Sequence, residues 1–213
     1  MKQVRFVVWT LLTLVMVGGC ASGPDPVAYK NRVFYEGDAG ADVDLKKLLE
    51  KPWPPLDWTG KAGREHEGIE IMGGVARISR PKDWVIRRGS IRPEGRFIEY
   101  VSPRQVVFAV YERLESPTDP WTVVLDRYQA DTREQGGEFL GPAVPHSTFN
   151  ASSRAFDVRR GVPVGKEPLV SFSREYVARS SHRIVLVQIV RPREDYGEAQ
   201  DELLRIVQSM IVL

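Results

Sequence analysis

Metal binding and nucleophilic catalysis require particular side chains within reach of one another, and this chain has few of them. Its three histidines, His66, His146 and His182, stand far apart, and its one cysteine is Cys20. No two of these have the close spacing of zinc-ligand pairs, so the histidines read as solvated loop residues. Ser79-Arg80-Pro81-Lys82 spells Ser-x-x-Lys, but that motif works at a helix start, and here it leaves a strand pattern, contains a proline and lacks its companion motifs. Gly161-Val162-Pro163-Val164-Gly165-Lys166 is one residue short of a phosphate loop and is followed by Glu167 where a hydroxyl is needed. No Gly-x-Ser-x-Gly elbow occurs. Asp38, Asp42 and Asp44 fail as a calcium loop, because Gly40, Val43 and Leu49 fall at the third, sixth and twelfth positions. The acids form no recognisable pair, although a carboxylate dyad assembled by folding stays open. The expectation is no catalytic residue, no metal and no cofactor.

Chemistry is better placed at the start of the chain. Lys2 and Arg5 precede an apolar run from Phe6 to Val17, the length of a signal-peptide core and well short of the roughly 20 residues a spanning helix needs. The run ends in Val17-Gly18-Gly19-Cys20. That tetrad resembles the lipobox of bacterial lipoproteins, which implies cleavage after residue 19 and acyl chains, palmitate among them, on the Cys20 sulfur. The other reading is an ordinary secretory peptide cut after Gly19 or Ala21. Ala21 and Ser22 follow the cysteine in place of aspartate, which favours the periplasmic face of the outer membrane over the inner membrane or the cell surface.

With Lys2 and Arg5 removed, the basic residues only balance the 28 acidic ones, so the basic excess of a nucleic-acid binder is absent. With no further cysteine, the mature domain must be held by burial without disulfides, which its length permits.

Two segments could meet a partner. Arg87, Arg88, Arg92 and Arg96 crowd one stretch with the single acid Glu94, read as a loop. Guanidinium forks there would suit phospholipid headgroups, an acidic protein or an anionic polymer, unless the loop is simply a soluble hairpin. Pro52-Trp53-Pro54-Pro55-Leu56-Asp57-Trp58 favours a polyproline conformation. Trp53 and Trp58 either clamp this leader to its own domain or dock a partner.

These residues need elements to position them. Residues 20–66 read as tether and wrapping leader, with a short helix over Val43 to Glu50 capped by Asp42 or Asp44 and stopped by Pro52. Strand patterns cover Glu70 to Ser79, Trp84 to Arg87, Phe97 to Val101 and Val106 to Leu114. A helix entered through Asp119-Pro120-Trp121, with aspartate as cap, carries Trp121, Val124, Leu125, Tyr128 and Thr132 on one side and stops at Gly136-Gly137. Strands are expected at Phe139 to Val144, Arg154 to Arg160, and Leu169 to Ala178 in a hairpin with Arg183 to Val190. The last strand is apolar from Ile184 to Val190 except at Gln188. From about Glu194 a closing helix aligns Leu203, Ile206, Val207 and Met210. The sum over 67–213 is an α+β domain, an antiparallel sheet covered by two or more helices.

Ile78-Ser79-Arg80-Pro81-Lys82-Asp83-Trp84, with the Asp119-Pro120-Trp121 helix, the 169–190 hairpin and the final helix, resembles the PsbP-like fold, an α/β/α sandwich. The resemblance implies a binding or assembly module without catalysis, meeting another envelope protein through its sheet and loops. It transfers no functional residue. The alternatives are a hydrolase whose site assembles only on folding and a structural lipoprotein of a secretion or wall-associated complex.

Overall fold

The computed structural model describes residues 49–53, 66–92, 95–164, 167–191 and 200–213. The signal segment, Cys20, Trp58 and the first part of the expected closing helix lie outside the described residues. Among the described residues the order is β1 (Glu50–Trp53), β2 (His66–Ile71), β3 (Ala76–Pro81), β4 (Val85–Arg92), β5 (Gly95–Val101), β6 (Val107–Glu112), α1 (Trp121–Glu134), β7 (Gly137–Phe139), β8 (Val144–Ser147), β9 (Ser152–Val164), β10 (Glu167–Arg179), β11 (Ile184–Arg191), α2 (Gln200–Ser209) and β12 (Ile211–Val212).

The strands form two antiparallel sheets where the sequence suggests one. The large sheet runs β4-β5-β6-β11-β10-β9-β7, with β8 also on β9, and the small sheet runs β1-β2-β3-β12. Opposed residues share a face and alternate residues change face, so two buried clusters identify the layers. On one face Val124 and Tyr128 of α1 pack on Phe156, Val158, Val177 and Ile184. On the other, Ile98, Phe108, Val110, Val187 and Ile189 meet Ile69, Ile71 and Ile78 of the small sheet and Leu203, Ile206 and Val207 of α2. The order of layers is α1, large sheet, then small sheet with α2.

The expected hairpin is there, with Tyr176 opposite Val187 and Arg179 opposite Ile184. Helix α1 buries Val124, Tyr128 and Thr132, one side of three turns. Its cap differs from expectation: Pro120 is the N-cap and has no side-chain bond to offer, while the Asp119 carboxylate accepts from Arg127 Nη1 at 3.0 Å. Gly136 ends the helix at φ +76°. At Gly137 an added Cβ would lie 2.6 Å from Thr132 Cγ2 and 2.8 Å from the Thr132 carbonyl oxygen, so only glycine lets β7 turn back this tightly. The single strand expected over 139–144 is two short ones, β7 and β8, flanking different stretches of β9.

Two further expectations change. The arginine stretch is a pair of strands, β4 and β5, with a register shift between Ile86 and Arg88. The proline-tryptophan segment is ladder, not polyproline, over Glu50–Trp53, with Trp53 opposite Gly68. Of the helix expected over Val43 to Glu50, residues 43–48 lie outside the described residues; Leu49 is helical, and Glu50 already belongs to β1.

Candidate functional site

The β4–β5 hairpin at one edge of the large sheet carries the four arginines, and Glu99 and Glu112 engage three of them. The shift after Ile86 brings Arg87 inward, where it is 8% exposed, and its Nη1 lies 3.9 Å from Glu99 Oε2. Arg88 Nη2 donates to Glu99 Oε1 at 2.5 Å, the Tyr111 hydroxyl donates to the same oxygen at 2.7 Å, and the Arg88 guanidinium stands 5.6 Å from the Phe97 ring centroid. Arg96 Nε pairs with Glu112 Oε2 at 2.8 Å, and Arg183 binds the other oxygen of Glu112. Arg92, at the end of β4, is the exposed member. Burial works against the Arg88 charge, but the hydrogen bond and charge of Glu99 outweigh it and hold its pKa above the ordinary value. Burial first, then the Glu99 charge, pushes the Tyr111 hydroxyl well up.

Trp53 lies on the domain's own surface. The Arg77 guanidinium covers its ring at 3.3 Å and donates to Glu70 Oε2 at 3.1 Å. Next to it, Leu49 is fully buried, and its carbonyl accepts from Met72 N at 2.9 Å. Glu50 Oε1 accepts from Arg80 Nη2 at 2.9 Å and from the Tyr100 hydroxyl at 2.9 Å. Arg80 also reaches Glu67 Oε1 at 2.8 Å and the Trp84 carbonyl at 2.8 Å. This bolt joins the leader strand, the small sheet and the large sheet.

A third cluster, which the sequence reading does not single out, lies under α1. Glu175 has no exposed surface. Its Oε1 pairs with Arg160 and accepts from Ser173 Oγ at 2.6 Å, and its Oε2 accepts from the Tyr128 hydroxyl at 2.9 Å and Gln188 Nε2 at 3.0 Å. Burial alone would raise this carboxyl, but the Arg160 charge and hydrogen bonds prevail and hold it below the usual value. The Tyr128 hydroxyl is raised by burial and by the neighbouring carboxylate. One signal pointed here: Gln188, the lone polar residue in an apolar central strand, is opposite Glu175.

These arrangements define what chemistry is within reach. Arg88, Glu99, Ala109, Gln188 and Glu175 occupy one cross-strand row. Glu99 and Glu175 are therefore three strand spacings apart, roughly 14 Å, beyond the roughly 5 to 9.5 Å of a glycosidase acid pair. Glu175 is held as a carboxylate chiefly by Arg160 and is unsuited to donating a proton at neutral pH. His146 faces Ser153 across β8 and β9, but Ser153 has no exposed surface to meet a substrate. The His146 ring packs edge-on to Tyr176 at 5.0 Å, and burial, then Arg174, lowers its pKa. His66 Nε2 lies 3.8 Å from Glu202. Among the described residues no cluster of His, Cys, Asp or Glu could hold a metal ion.

No protein-family model matches the sequence, and a comparison with curated proteins finds no match. Among solved structures, the chain is similar to cyanobacterial PsbP (CyanoP) from Synechocystis, with a TM-score of 0.51 and 14% identity over 76% of this chain and 100% of that one. It also aligns with LpqN of Mycobacterium tuberculosis, described as involved in cell envelope biogenesis, at a TM-score of 0.36 and 9% identity over 77% of this chain and 90% of that one. The CyanoP likeness establishes a PsbP-like α+β fold. A shared fold at this identity leaves function to the residues themselves.

Proposed function

We propose that this protein is a lipid-anchored binding or assembly module of the bacterial envelope, without catalytic activity, held at the periplasmic face of the outer membrane. The observation that carries the reading is Val17-Gly18-Gly19-Cys20 at the end of an apolar run with a basic start. An aliphatic residue and two small ones give a peptidase access to the backbone, and the thiol that follows supplies the nucleophile for acylation. More than one acyl chain, at about 0.8 kcal/mol per buried CH₂, makes such an attachment stable. The binding half of the reading is supported by the acids, since Glu50, Glu99, Glu112 and Glu175 are each engaged by arginine. The partner is another envelope protein, and exposed Arg92, at the tip of the arginine hairpin, is the point of that hairpin best placed to meet it.

The test is the native protein's mass together with fractionation of Cys20→Ser. The expected result is a diacyl or triacyl modification on residue 20 in the native protein and release of the variant into the soluble fraction without detergent. An unmodified sulfur, or a variant that stays in the membrane fraction, refutes the anchor.

A further inference from the structure

Helix α1 occupies only part of the sheet face on which it lies. It packs on Phe156, Val158, Val177 and Ile184 of β9, β10 and β11, and no residue of β4, β5 or β6 joins that buried cluster. The same face continues across those three strands. One cross-strand row sets Val85 opposite Val101, Val101 opposite Val107 and Val107 opposite Val190. A second sets Phe97 opposite Tyr111 and Tyr111 opposite Leu186, with the Phe97 and Tyr111 rings stacked at 5.7 Å. Val85 is 42% exposed, and Val101, Val107, Val190, Phe97 and Leu186 are half-buried. On the opposite face of these strands Ile98, Tyr100, Phe108, Val110 and Val187 have no exposed surface.

We propose that the leader of the same chain covers this face through Val27 to Tyr35, a segment outside the described residues. Area is the first argument. The two rows span about three strand spacings and lie four residues apart, roughly 14 Å by 13 Å. That is roughly 200 Å², far below the roughly 800 Å² per partner of a stable interface between separate chains. A second copy or an independent protein gains too little there to stay. A segment of the same chain needs less area, because the covalent connection supplies its effective concentration.

The point at which the chain enters the domain is the second argument. Leu49 is fully buried, and its side chain lies against Gly89 of β4, the edge strand of the large sheet. The leader therefore arrives beside the edge round which the valine row is reached. Residues 36–48 number thirteen, a reach of up to roughly 45 Å, ample to pass from one face of β4 to the other. Upstream of them, Val27-Ala28-Tyr29-Lys30-Asn31-Arg32-Val33-Phe34-Tyr35 is apolar or aromatic at six of nine positions. Valine, phenylalanine and tyrosine are the types that pack well on a pleated surface. The polar row between the two apolar ones does not oppose such a cover. Glu99 has no exposed surface and already accepts from Arg88 and Tyr111, so its desolvation is complete before the leader arrives.

The test uses residues 20–213 carrying Cys20→Ser, which leaves an introduced thiol as the only one in the chain. Val107→Cys, in the middle of the valine row, is reacted with N-ethylmaleimide in two chains. One has the natural leader, and the other carries Tyr29→Ser, Val33→Ser and Phe34→Ser. Labelling should be about tenfold faster in the second, where the cover opens locally. Val101→Cys, in the same row, gives a second reading of that ratio. Val110→Cys, on the other face of the same strand, should stay slow with both leaders, and Phe149→Cys, 66% exposed, should stay fast with both. Thermal unfolding of each variant checks that the fold is intact. Equal rates with the two leaders at Val107→Cys and Val101→Cys overturn the proposal. So does a parallel rise at Val110→Cys, which would mean that the leader stabilises the whole fold and covers no particular face. Protection that persists in the altered leader and grows with protein concentration would assign the face to a second copy, and overturns it too. No acyl chain is present in these proteins, so the outcome is separate from that of the anchor, which the mass of native Cys20 decides.

Discussion

A carboxylate with no exposed surface persists in a sheet only when its neighbours replace the water it has lost, and Glu175 has four such neighbours. Arg160 supplies the charge, and Ser173, Gln188 and Tyr128 supply donors. Because the folded carboxyl titrates below its usual value, the unfolded chain binds the extra proton between the two pKa values. This contribution to stability is complete above the unfolded pKa of about 4.3 and is lost as pH falls through the folded one. Thermal midpoints should therefore drop steeply below about pH 5, and the double variant Glu175→Gln, Arg160→Met should flatten that drop. Glu175→Ala alone leaves a buried guanidinium uncompensated and should cost about 3–5 kcal/mol in denaturant unfolding at neutral pH. A double variant as acid-sensitive as the parent would mean that other carboxylates govern the transition.

At the scale of elements, the leader strand is fitted to its place on the small sheet by one leucine and one glycine. A Cβ added at Gly89 would come within 2.9 Å of both terminal carbons of Leu49 and 3.0 Å of the Phe97 carbonyl oxygen. Leu49→Ala should destabilise by about 2–5 kcal/mol, because it empties a fully buried site, and Gly89→Ala by about 1–3 kcal/mol through overpacking. If the two side chains compete for one space, the double variant is more stable than the sum of the two losses predicts, since alanine at 49 makes room for the new methyl. Additive losses in equilibrium unfolding would show that Gly89 is constrained by the Phe97 carbonyl instead.

The same strand shows where a sequence stops being legible. Alternation and a serine-rich turn disclose the β10–β11 hairpin, and the apolar spacing of α1 discloses its buried side, because both patterns are local. Pro52 and Trp53 carry polyproline chemistry, and only the free edge of β2, set by distant pairing, turns them into ladder. The arginines of β4 and β5 look like a loop for a related reason. Their acids, Glu99 and Glu112, lie beyond any window that a charge run suggests.

The division into two sheets follows from how the chain closes on itself. The small sheet takes β1, β2 and β3 from the first part of the domain and β12 from its last residues, so neither half can complete it alone. Strand β12 is two residues long, too short to be seen in sequence and too short to hold by its ladder to β3. What secures it is a side chain. Asn150, in the β8–β9 turn of the large sheet, donates from Nδ2 to the Val212 carbonyl at 2.8 Å and accepts from the Val212 N–H at Oδ1, also at 2.8 Å. Its amide replaces a neighbouring strand, and the Phe149 N–H adds a bond to the Met210 carbonyl at 3.2 Å. The large sheet thereby fixes the end of the small one. Asn150→Ala removes both bonds and leaves the backbone groups of a nearly buried residue, Val212 at 1% exposure, to find water. The expected cost is about 1–3 kcal/mol. Amide exchange should quicken at Val212 and at Leu213, whose N–H donates to the Val75 carbonyl, with little change in α1 on the far side of the large sheet. If exchange instead quickens equally in α1, the two layers open as one unit, and the clamp contributes to global stability and not to a local seam.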